Sequence, residues 1–272
     1  MVTNLAAGPA RVGEGTARTL RLSSWGWGVV GGLIVFAVWI VVALIVPGGA
    51  VPPPWTVVAT AIDDGWDFYS TAVGATLTRV FPGYLWGNAF ALGLVALVFL
   101  VPALEETASQ LALISHCIPV TAIGPIIMII FGGRAAAVFL AALSVFFISF
   151  VTALLGIHAA QQTALDLVSA YGGGRVMRLR KVQLVAALPT IFLALQIAMP
   201  VAFIGAILGE YLGGIDTGIG VVLQSAQRDF MPARTWGVAL VIGIVSLALY
   251  GLVGLLGRLL LPWARSGLGG RS

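Results

Sequence analysis

The stretch DLVSAYGGGRVMRLRKVQLVAALP, from Asp166 to Pro189, lies between two long apolar runs and differs from both. It carries three consecutive glycines, Gly172 to Gly174, followed by four basic residues. Glycine disfavours the interior of a helix, so the glycines are expected to separate two short helices, over residues 163–170 and 175–185. The pattern therefore predicts a helix, a glycine swivel and a second helix.

The rest of the chain has the composition of an integral membrane protein. Hydrophobic residues make up 60% of the 272 residues, charged residues make up 9%, and the mean hydropathy is +1.06. A hydrocarbon core about 30 Å thick needs roughly 20 apolar residues per helix. Because the apolar runs are continuous and do not alternate, they predict an all-α protein and not a β-barrel. About six spans are expected, near Trp25–Val46, Val80–Val101, Leu111–Phe131, Ala135–Gly156, Leu184–Leu208 and Trp236–Leu261.

The placement of the basic residues predicts the orientation of the chain, because Lys and Arg are enriched on the cytoplasmic side of spanning helices. With the N-terminus inside, ten of the 14 basic residues fall in the cytoplasm. The other four, which are expected outside, are Arg79, Arg134, Arg228 and Arg234. Both termini are therefore expected to be cytoplasmic. The net charge of +4 reflects this bias and indicates no nucleic-acid binding.

The chain is expected to divide into a transmembrane domain and two tails. Residues 1–24 are predicted to be a mobile cytoplasmic tail, residues 25–265 the transmembrane domain, and residues 266–272 a second tail. On the outer side, the three prolines of VPPPW, Val51 to Trp55, exclude a helix and impose an extended entry. The residues after it, Thr56 to Ile62, are expected to form a short helix at the membrane surface.

The basic residues of the opening segment allow two interpretations. They can be anchors that contact anionic lipid head groups. Alternatively, the segment holds a short helix that inserts into a groove of a soluble partner, with the glycines allowing a tight turn. Charge alone favours the lipid anchor.

The spacing within this segment resembles the cytoplasmic signature of ATP-binding-cassette (ABC) importer permeases. In that family a Glu-Ala-Ala triplet is followed by a glycine six residues after the Glu and by a later Leu-Pro pair. The chain departs from the family at the triplet, which reads Asp166-Leu167-Val168 and puts the detail of docking in question. The positions that carry the resemblance are Asp166, Gly172, Arg180, Lys181, Leu188 and Pro189.

Other segments resemble the nitrate, sulfonate and taurine type of these permeases, in the same order along the chain. Together they extend the resemblance over nearly all of the chain after the N-terminal tail. The resemblance implies the type I ABC importer permease fold, in the bacterial cytoplasmic (inner) membrane. The segments are VPPPW (51–55), TLTRVFPG (76–83), IPVTAIGP (118–125), GEYL (209–212) and TGIG (217–220).

The family also implies partners. Two permeases, identical or close paralogues, form one pathway; an extracytoplasmic solute-binding protein delivers the solute; and a cytoplasmic ATPase dimer binds ATP and Mg. No cofactor is then expected in this chain. Residues 163–183 are implied to be the coupling segment that seats in the ATPase. The residues assigned to coupling are Asp166, Gly172, Gly173, Arg175, Arg178, Arg180, Lys181 and Pro189.

The implied solutes are small and often anionic, such as alkanesulfonates, taurine or nitrate, although related permeases serve pyrimidine precursors and other heterocycles. Ionisable residues inside a bilayer cost about 2.5 to 3.5 kcal/mol each, so His116, the only one expected within a span, is a pathway candidate. It lies near Pro119 and Pro125, which bend the helix and expose carbonyls. The alternative is a neutral His116 bonded to a nearby carbonyl.

Three more polar residues are pathway candidates, each with a simpler alternative. Asn88 and Gln196 either line the pathway or join helices by hydrogen bonds. Glu210 follows an apolar helix and either caps the pathway, touches the binding protein, or is an interfacial carboxylate exposed to water.

The sequence contains no catalytic constellation. The glycines at 172–174 are not followed by the Lys and Ser or Thr of a phosphate-binding loop, and no His, Cys and carboxylate cluster has metal-ligand spacing. An alternative function is a stand-alone ion- or proton-coupled secondary transporter. Such proteins usually carry buried carboxylates or inverted repeats, and the sequence indicates neither an intramembrane carboxylate nor a repeat.

Overall fold

The computed structural model describes residues 24–46, 49–212 and 215–262. Over these residues the chain is helical and contains no β-strand, which confirms the all-α fold class. Both predicted tails lie outside the described residues, apart from Ser24 at the start of the first helix. The helices are α1 (Ser24–Ile45), α2 (Pro54–Asp64), α3 (Trp66–Leu100), α4 (Glu105–Cys117), α5 (Val120–Phe131), α6 (Gly133–His158), α7 (Gln162–Ala170), α8 (Arg175–Arg178), α9 (Leu184–Tyr211), α10 (Ile219–Arg228) and α11 (Pro232–Leu260).

Six crossings of the membrane are consistent with this arrangement. Helices α1, α3, α6, α9 and α11 are each long and apolar enough to span, and the bent pair of α4 and α5 makes a sixth. The predicted short helix is present as α2, but it begins at Pro54, so the expectation that the prolines of VPPPW exclude a helix is wrong for Pro54 and Trp55. Proline is tolerated at the first position of a helix, where its missing N–H would have no partner in the helix.

Helix α3 is longer than predicted. It begins at Trp66 rather than at Val80 and runs for 35 residues, about 50 Å at 1.5 Å per residue. The hydrocarbon core is only about 30 Å thick, so the first turns of α3 extend beyond it. The charged residues Asp67 and Arg79 lower the hydropathy of these turns, which is why counting apolar residues missed them.

The predicted continuous span from Leu111 to Phe131 is wrong. It is broken into α4 and α5, whose axes differ by 93°. The break lies at Ile118 and Pro119, both of which have extended backbone. Proline has no amide hydrogen to donate to the helix and disfavours helical conformation in the residue before it, so the helix ends at Cys117.

The centre of the molecule is built from α3, α6 and α9. Fully buried side chains from all three helices, including Val80, Val145 and Phe203, belong to the main apolar cluster. Small residues bring α6 and α9 close together: a Cβ atom added to Gly209 would lie 2.5 Å from the Cα atom of Ala137. Close backbone approach through small residues is a common way for membrane helices to pack.

A polar cluster joins α2, α3 and α11 at their predicted outer ends. Arg234 of α11 donates hydrogen bonds to both carboxylate oxygens of Asp64 in α2. The hydroxyl of Tyr69 in α3 donates to the same carboxylate over 2.9 Å. The cluster fixes the surface helix α2 on the membrane domain.

Helix α1 lies at the periphery. No residue of its apolar window is buried. Its side chain Trp39 donates to the carbonyl of Pro52 over 3.1 Å and stacks on Trp236 of α11, with ring centroids 5.6 Å apart. These contacts hold α1 near its outer end.

Candidate functional site

The glycines of the coupling segment form a hydrogen-bonded cap. Gly172 has φ of +75°, its N–H donates to the carbonyl of Ser169 (3.0 Å), and the N–H of Gly173 donates to the carbonyl of Val168 (2.8 Å). This pair of bonds is the Schellman motif, which ends α7 with a glycine in the left-handed region. The predicted swivel is therefore a turn with a defined geometry.

The second arm of the coupling segment, which is the helical part that begins at Arg175, is continuous with the membrane-spanning helix α9. Helix α8 passes through a π-helical turn, Leu179–Gln183, directly into α9. From Val176 to Tyr211 the chain is a single apolar helix of 36 residues. Any displacement of the second arm is therefore applied directly to α9.

The charged side chains of the coupling segment are mostly exposed. Asp166 accepts a hydrogen bond from Gln162 over 3.0 Å and otherwise faces solvent. Arg180 and Lys181 are also exposed, and they line an open groove of about 790 Å³. The described part of the chain gives the backbone of Arg175 but not its side chain. An exposed basic groove is available to an acidic surface of a partner.

Two coupling residues are more enclosed. Arg178 is half-buried and lines a cavity of about 250 Å³ between the coupling segment and the inner ends of α3 and α6. Glu105 and His158 line the same cavity, with 3.7 Å between the carboxylate and Nε2 of the histidine. Pro189 is half-buried inside α9.

The amide of Asn88 is hydrogen-bonded at both ends and joins two helices through its oxygen. Its Nδ2 donates to the carbonyl of Tyr84 (2.8 Å), and its Oδ1 accepts from the hydroxyl of Ser149 in α6 (2.7 Å). The hydroxyl of Tyr84 in turn donates to the carbonyl of Leu195 in α9 (3.1 Å). The amide of Asn88 thus links α3 to α6, and the neighbouring tyrosine links α3 to α9.

The remaining pathway candidates do not converge on one site. His116 is exposed at the end of α4, and its ring stacks on Phe147 with centroids 4.2 Å apart. Among the described residues, it makes no hydrogen bond to a carbonyl. Pro119, at the break before α5, and Pro125, within α5, are both exposed. Gln196 is half-buried and packs on α11, far along the chain from the break.

The residues that sequence reasoning misplaced are Arg79 and Glu210. Glu210 is fully buried and Arg79 is only 2% exposed, and they form an ion pair. Glu210 is therefore not an interfacial carboxylate exposed to water, and Arg79 does not lie in an outer loop. Arg79 in α3 and Glu210 in α9 are ionisable residues buried within helices that are long enough to span, which the apolar runs did not predict.

A network of hydrogen bonds explains how these charges are accommodated. Thr76 and the N–H of Gly220 donate to one oxygen of Glu210, over 2.9 and 3.0 Å. Arg79 donates to the other oxygen and to the carbonyl of Thr217, the latter over 2.8 Å. Buried charges are tolerated when they are paired and hydrogen-bonded. Thr76 and Arg79 are three residues apart and share one helix face, a sequence signal that could have indicated a shared partner but was not used to predict one.

The network lies at the start of α10. The carboxylate of Glu210 accepts from the second residue of α10, so it acts as an N-cap supplied by another helix, where a negative charge is favoured. Gly218 precedes α10 with φ of +138°, and a Cβ atom there would lie 2.3 Å from the Glu210 carboxylate. Only glycine fits at this position.

Comparison with known proteins identifies the family of this chain. Residues 89–266 match the family described as binding-protein-dependent transport system inner membrane component. The chain is 30% identical to the riboflavin transport system permease protein RibX of Chloroflexus aurantiacus over 164 residues, covering 60% of this chain and 61% of that protein. It is 24% identical to the putative aliphatic sulfonates transport permease protein SsuC of Bacillus subtilis over 250 residues, covering 89% and 90%.

The fold is also similar to that of a solved structure. A chain of the MetNI methionine ABC transporter in an inward-facing conformation superimposes with a TM-score of 0.58 and 18% identity, over 76% of this chain and 97% of that chain. This likeness concerns the fold alone. The chain thus belongs to the family of binding-protein-dependent transport system inner membrane components, and it is a multi-pass permease subunit of an ABC importer in the bacterial inner membrane.

Proposed function

We propose that this chain forms half of a translocation pathway for a small solute and that residues 163–183 couple it to a cytoplasmic ATPase dimer. The ATPase, a separate chain, binds ATP and Mg. The observation that carries the proposal is the capped turn at Gly172 joined to a second arm that runs without interruption into α9.

The proposed mechanism is a mechanical one. Closure of the ATPase dimer on ATP draws the coupling segment with it. Because the turn is fixed by hydrogen bonds, the segment moves as one piece, and α9 moves with its second arm. Helix α9 packs closely on α6, so the movement reaches the centre of the bundle.

The residues of the segment have distinct proposed roles. Asp166, Arg180 and Lys181 are exposed and contact the ATPase, with the two basic side chains facing acidic groups. Gly172 and Gly173 hold the turn. Arg175 and Arg178 extend the basic surface, and Pro189 lies where the second arm enters the membrane.

The pathway is proposed to form between this chain and a second copy or a close paralogue. An extracytoplasmic binding protein delivers the solute. The names of the similar proteins include riboflavin and aliphatic sulfonates, so a small organic anion, such as a sulfonate, or a heterocycle is the proposed solute class. Exposed His116 and the broken α4–α5 pair, with Pro119 and Pro125, are the proposed solute-facing elements. Asn88, Gln196 and Glu210 lie elsewhere in the molecule, where they hold helices together.

The coupling role is tested with two glycine variants. Gly172→Val places a β-branched residue at φ of +75°, which such residues rarely adopt, and is expected to break the cap. The control is Gly243→Val in α11, because Gly243 lies outside the coupling segment, lacks a positive φ and has nothing within 4 Å of an added Cβ atom. We expect Gly172→Val to reduce copurification of the ATPase and ATP hydrolysis by the complex, and Gly243→Val to preserve both.

Two results would contradict the proposal. The first is unchanged ATPase assembly and hydrolysis in Gly172→Val. The second is solute uptake that continues with an ATPase unable to hydrolyse ATP, which would instead support the stand-alone secondary transporter. For the pathway, His116→Ala with unchanged uptake and affinity would remove His116 from the solute-facing residues.

A further inference from the structure

Helix α10 is bound to the membrane core by hydrogen bonds at two places, of which those at its start are buried. At its start, the carboxylate of Glu210 accepts the N–H of Gly220, and the N–H of Ile219 donates to the hydroxyl of Thr76 over 2.9 Å. Farther along α10, Gln224 donates to the carbonyl of Tyr211, and the hydroxyl of Tyr211 donates to Gln227. The last two residues of α9 therefore both hold α10.

Hydrogen bonds from α3 also hold the start of α10. Arg79 of α3 reaches across to Glu210 and to both the carbonyl and the hydroxyl of Thr217, which lies two residues before the start of α10. Because α3 and α9 pack with α6 in one buried core, a helix bound to both must move with that core. No water competes for these bonds, since the two charged side chains are at most 2% exposed.

We propose that Glu210 and Arg79 are positioning residues that tie α10 to α9, so that α10 on the outer surface and the coupling segment on the inner surface move as parts of one rigid body. Helix α9 joins the two, because Val176–Tyr211 is a single helix. An event at the ATPase thereby changes the position of α10, and a partner that docks on α10 acts on the ATPase. The inference rests on the proposed function and adds to it the outer element that responds.

The exposed face of α10 is suited to report this movement. Ser225 lies on that face, and its hydroxyl only contacts the carbonyl of Val222 in its own helix. The chain contains a single cysteine, the exposed Cys117. Ser225→Cys in a Cys117→Ser background therefore gives one defined site for a membrane-impermeant maleimide.

The experiment measures the labelling rate of this site in the permease–ATPase complex in lipid nanodiscs. One sample is free of nucleotide, and the other is trapped with ATP, Mg and vanadate. We expect the two rates to differ in the native background.

Two variants disrupt the hydrogen bonds of Glu210 and Arg79 at the start of α10 in different ways. Gly218→Ala leaves both charges in place but inserts a Cβ atom 2.3 Å from the Glu210 carboxylate, at a φ that only glycine favours. Arg79→Gln combined with Glu210→Gln removes both charges together, so no buried charge is left without a partner. In each variant we expect the nucleotide dependence of labelling to be lost, while Gly218→Ala retains the bound ATPase and its basal hydrolysis.

The matched control is Gly243→Ala in α11, where a Cβ atom meets nothing within 4 Å. It should keep the nucleotide dependence. The inference is overturned if labelling responds to nucleotide equally in the native chain and in both variants, or if it does not respond in the native chain. A native chain that fails to retain the ATPase would overturn the proposed function as well, so the two failures are distinguishable.

Discussion

At the scale of single residues, the buried ion pair of Arg79 and Glu210 joins α3 to α9. In the structure each makes burial tolerable for the other, with Thr76 and the N–H of Gly220 supplying the remaining hydrogen bonds. The cost of burying one charge thus depends on a residue far away in the sequence.

Removal of one partner should therefore be more harmful than removal of both. Glu210→Ala leaves a buried guanidinium without its counter-ion and is expected to destabilise the protein by about 3 to 5 kcal/mol. Arg79→Met combined with Glu210→Leu is expected to lose clearly less, because no unpaired charge remains. Thermal unfolding of the purified chain in detergent measures both, and a double variant less stable than Glu210→Ala would contradict this account.

The outer pair of Asp64 and Arg234 makes a prediction about pH. The hydrogen bonds from the Arg234 guanidinium hold the pKa of the Asp64 carboxyl below its usual value, against the opposing effect of burial. A lowered pKa in the folded state stabilises the protein above the unfolded pKa of about 4, and this contribution is lost as the pH falls through the folded pKa. The difference in Tm between the native chain and Asp64→Asn should therefore be present at pH 7 and shrink at pH 3. A difference that is the same at both values would refute it.

At the scale of helices, the apolar runs predicted the five long helices α1, α3, α6, α9 and α11, because burial in lipid requires long apolar segments. The runs did not predict the break at Pro119 or the extension of α3 back to Trp66. A proline between two apolar segments leaves the hydropathy unchanged. Charged turns at the start of α3 are stabilised by packing on α2, α10 and α11, and this packing is invisible to a local count.

The coupling segment could be predicted from the sequence more completely than the pathway residues could. In the coupling segment, spacing places Gly172 after α7, and the helices on each side of it have nearly the expected bounds. The pathway residues were chosen one by one for polarity, and the structure does not bring them together within one chain. Polarity alone does not specify which side of a helix faces a neighbouring helix.

The close contact between α6 and α9 gives a prediction for one glycine. Gly209→Ala would place a Cβ atom 2.5 Å from the Cα atom of Ala137, and a backbone atom cannot give way as the end of a side chain can. Overpacking of this kind is expected to cost about 1 to 3 kcal/mol. The control Gly243→Ala should not lower the stability, and thermal unfolding of both variants in detergent compares them. Equal Tm values would show that α6 and α9 can separate at little cost.

At the scale of the whole molecule, the orientation in the membrane remains a prediction from the basic residues. With the single cysteine replaced by Cys117→Ser, exposed positions on opposite sides can be labelled one at a time. Tyr171, which is 85% exposed in the coupling segment, is expected to be cytoplasmic, and the exposed Arg228 at the end of α10 is expected to be outside.

A membrane-impermeant maleimide should therefore label Arg228→Cys in intact spheroplasts and Tyr171→Cys only in inverted vesicles. Labelling of Tyr171→Cys from the outside would reverse the orientation. It would also place the coupling segment where no ATPase can reach it.

The peripheral position of α1 has a consequence for biosynthesis. Since none of its apolar window is buried, the core of α3, α6 and α9 forms without it. Helix α1 precedes the core in the chain and follows three of the arginines that set the orientation. Helix α1 can therefore direct insertion into the membrane, while the later helices provide the packed core. The two parts of the chain touch mainly through the rings of Trp39 and Trp236.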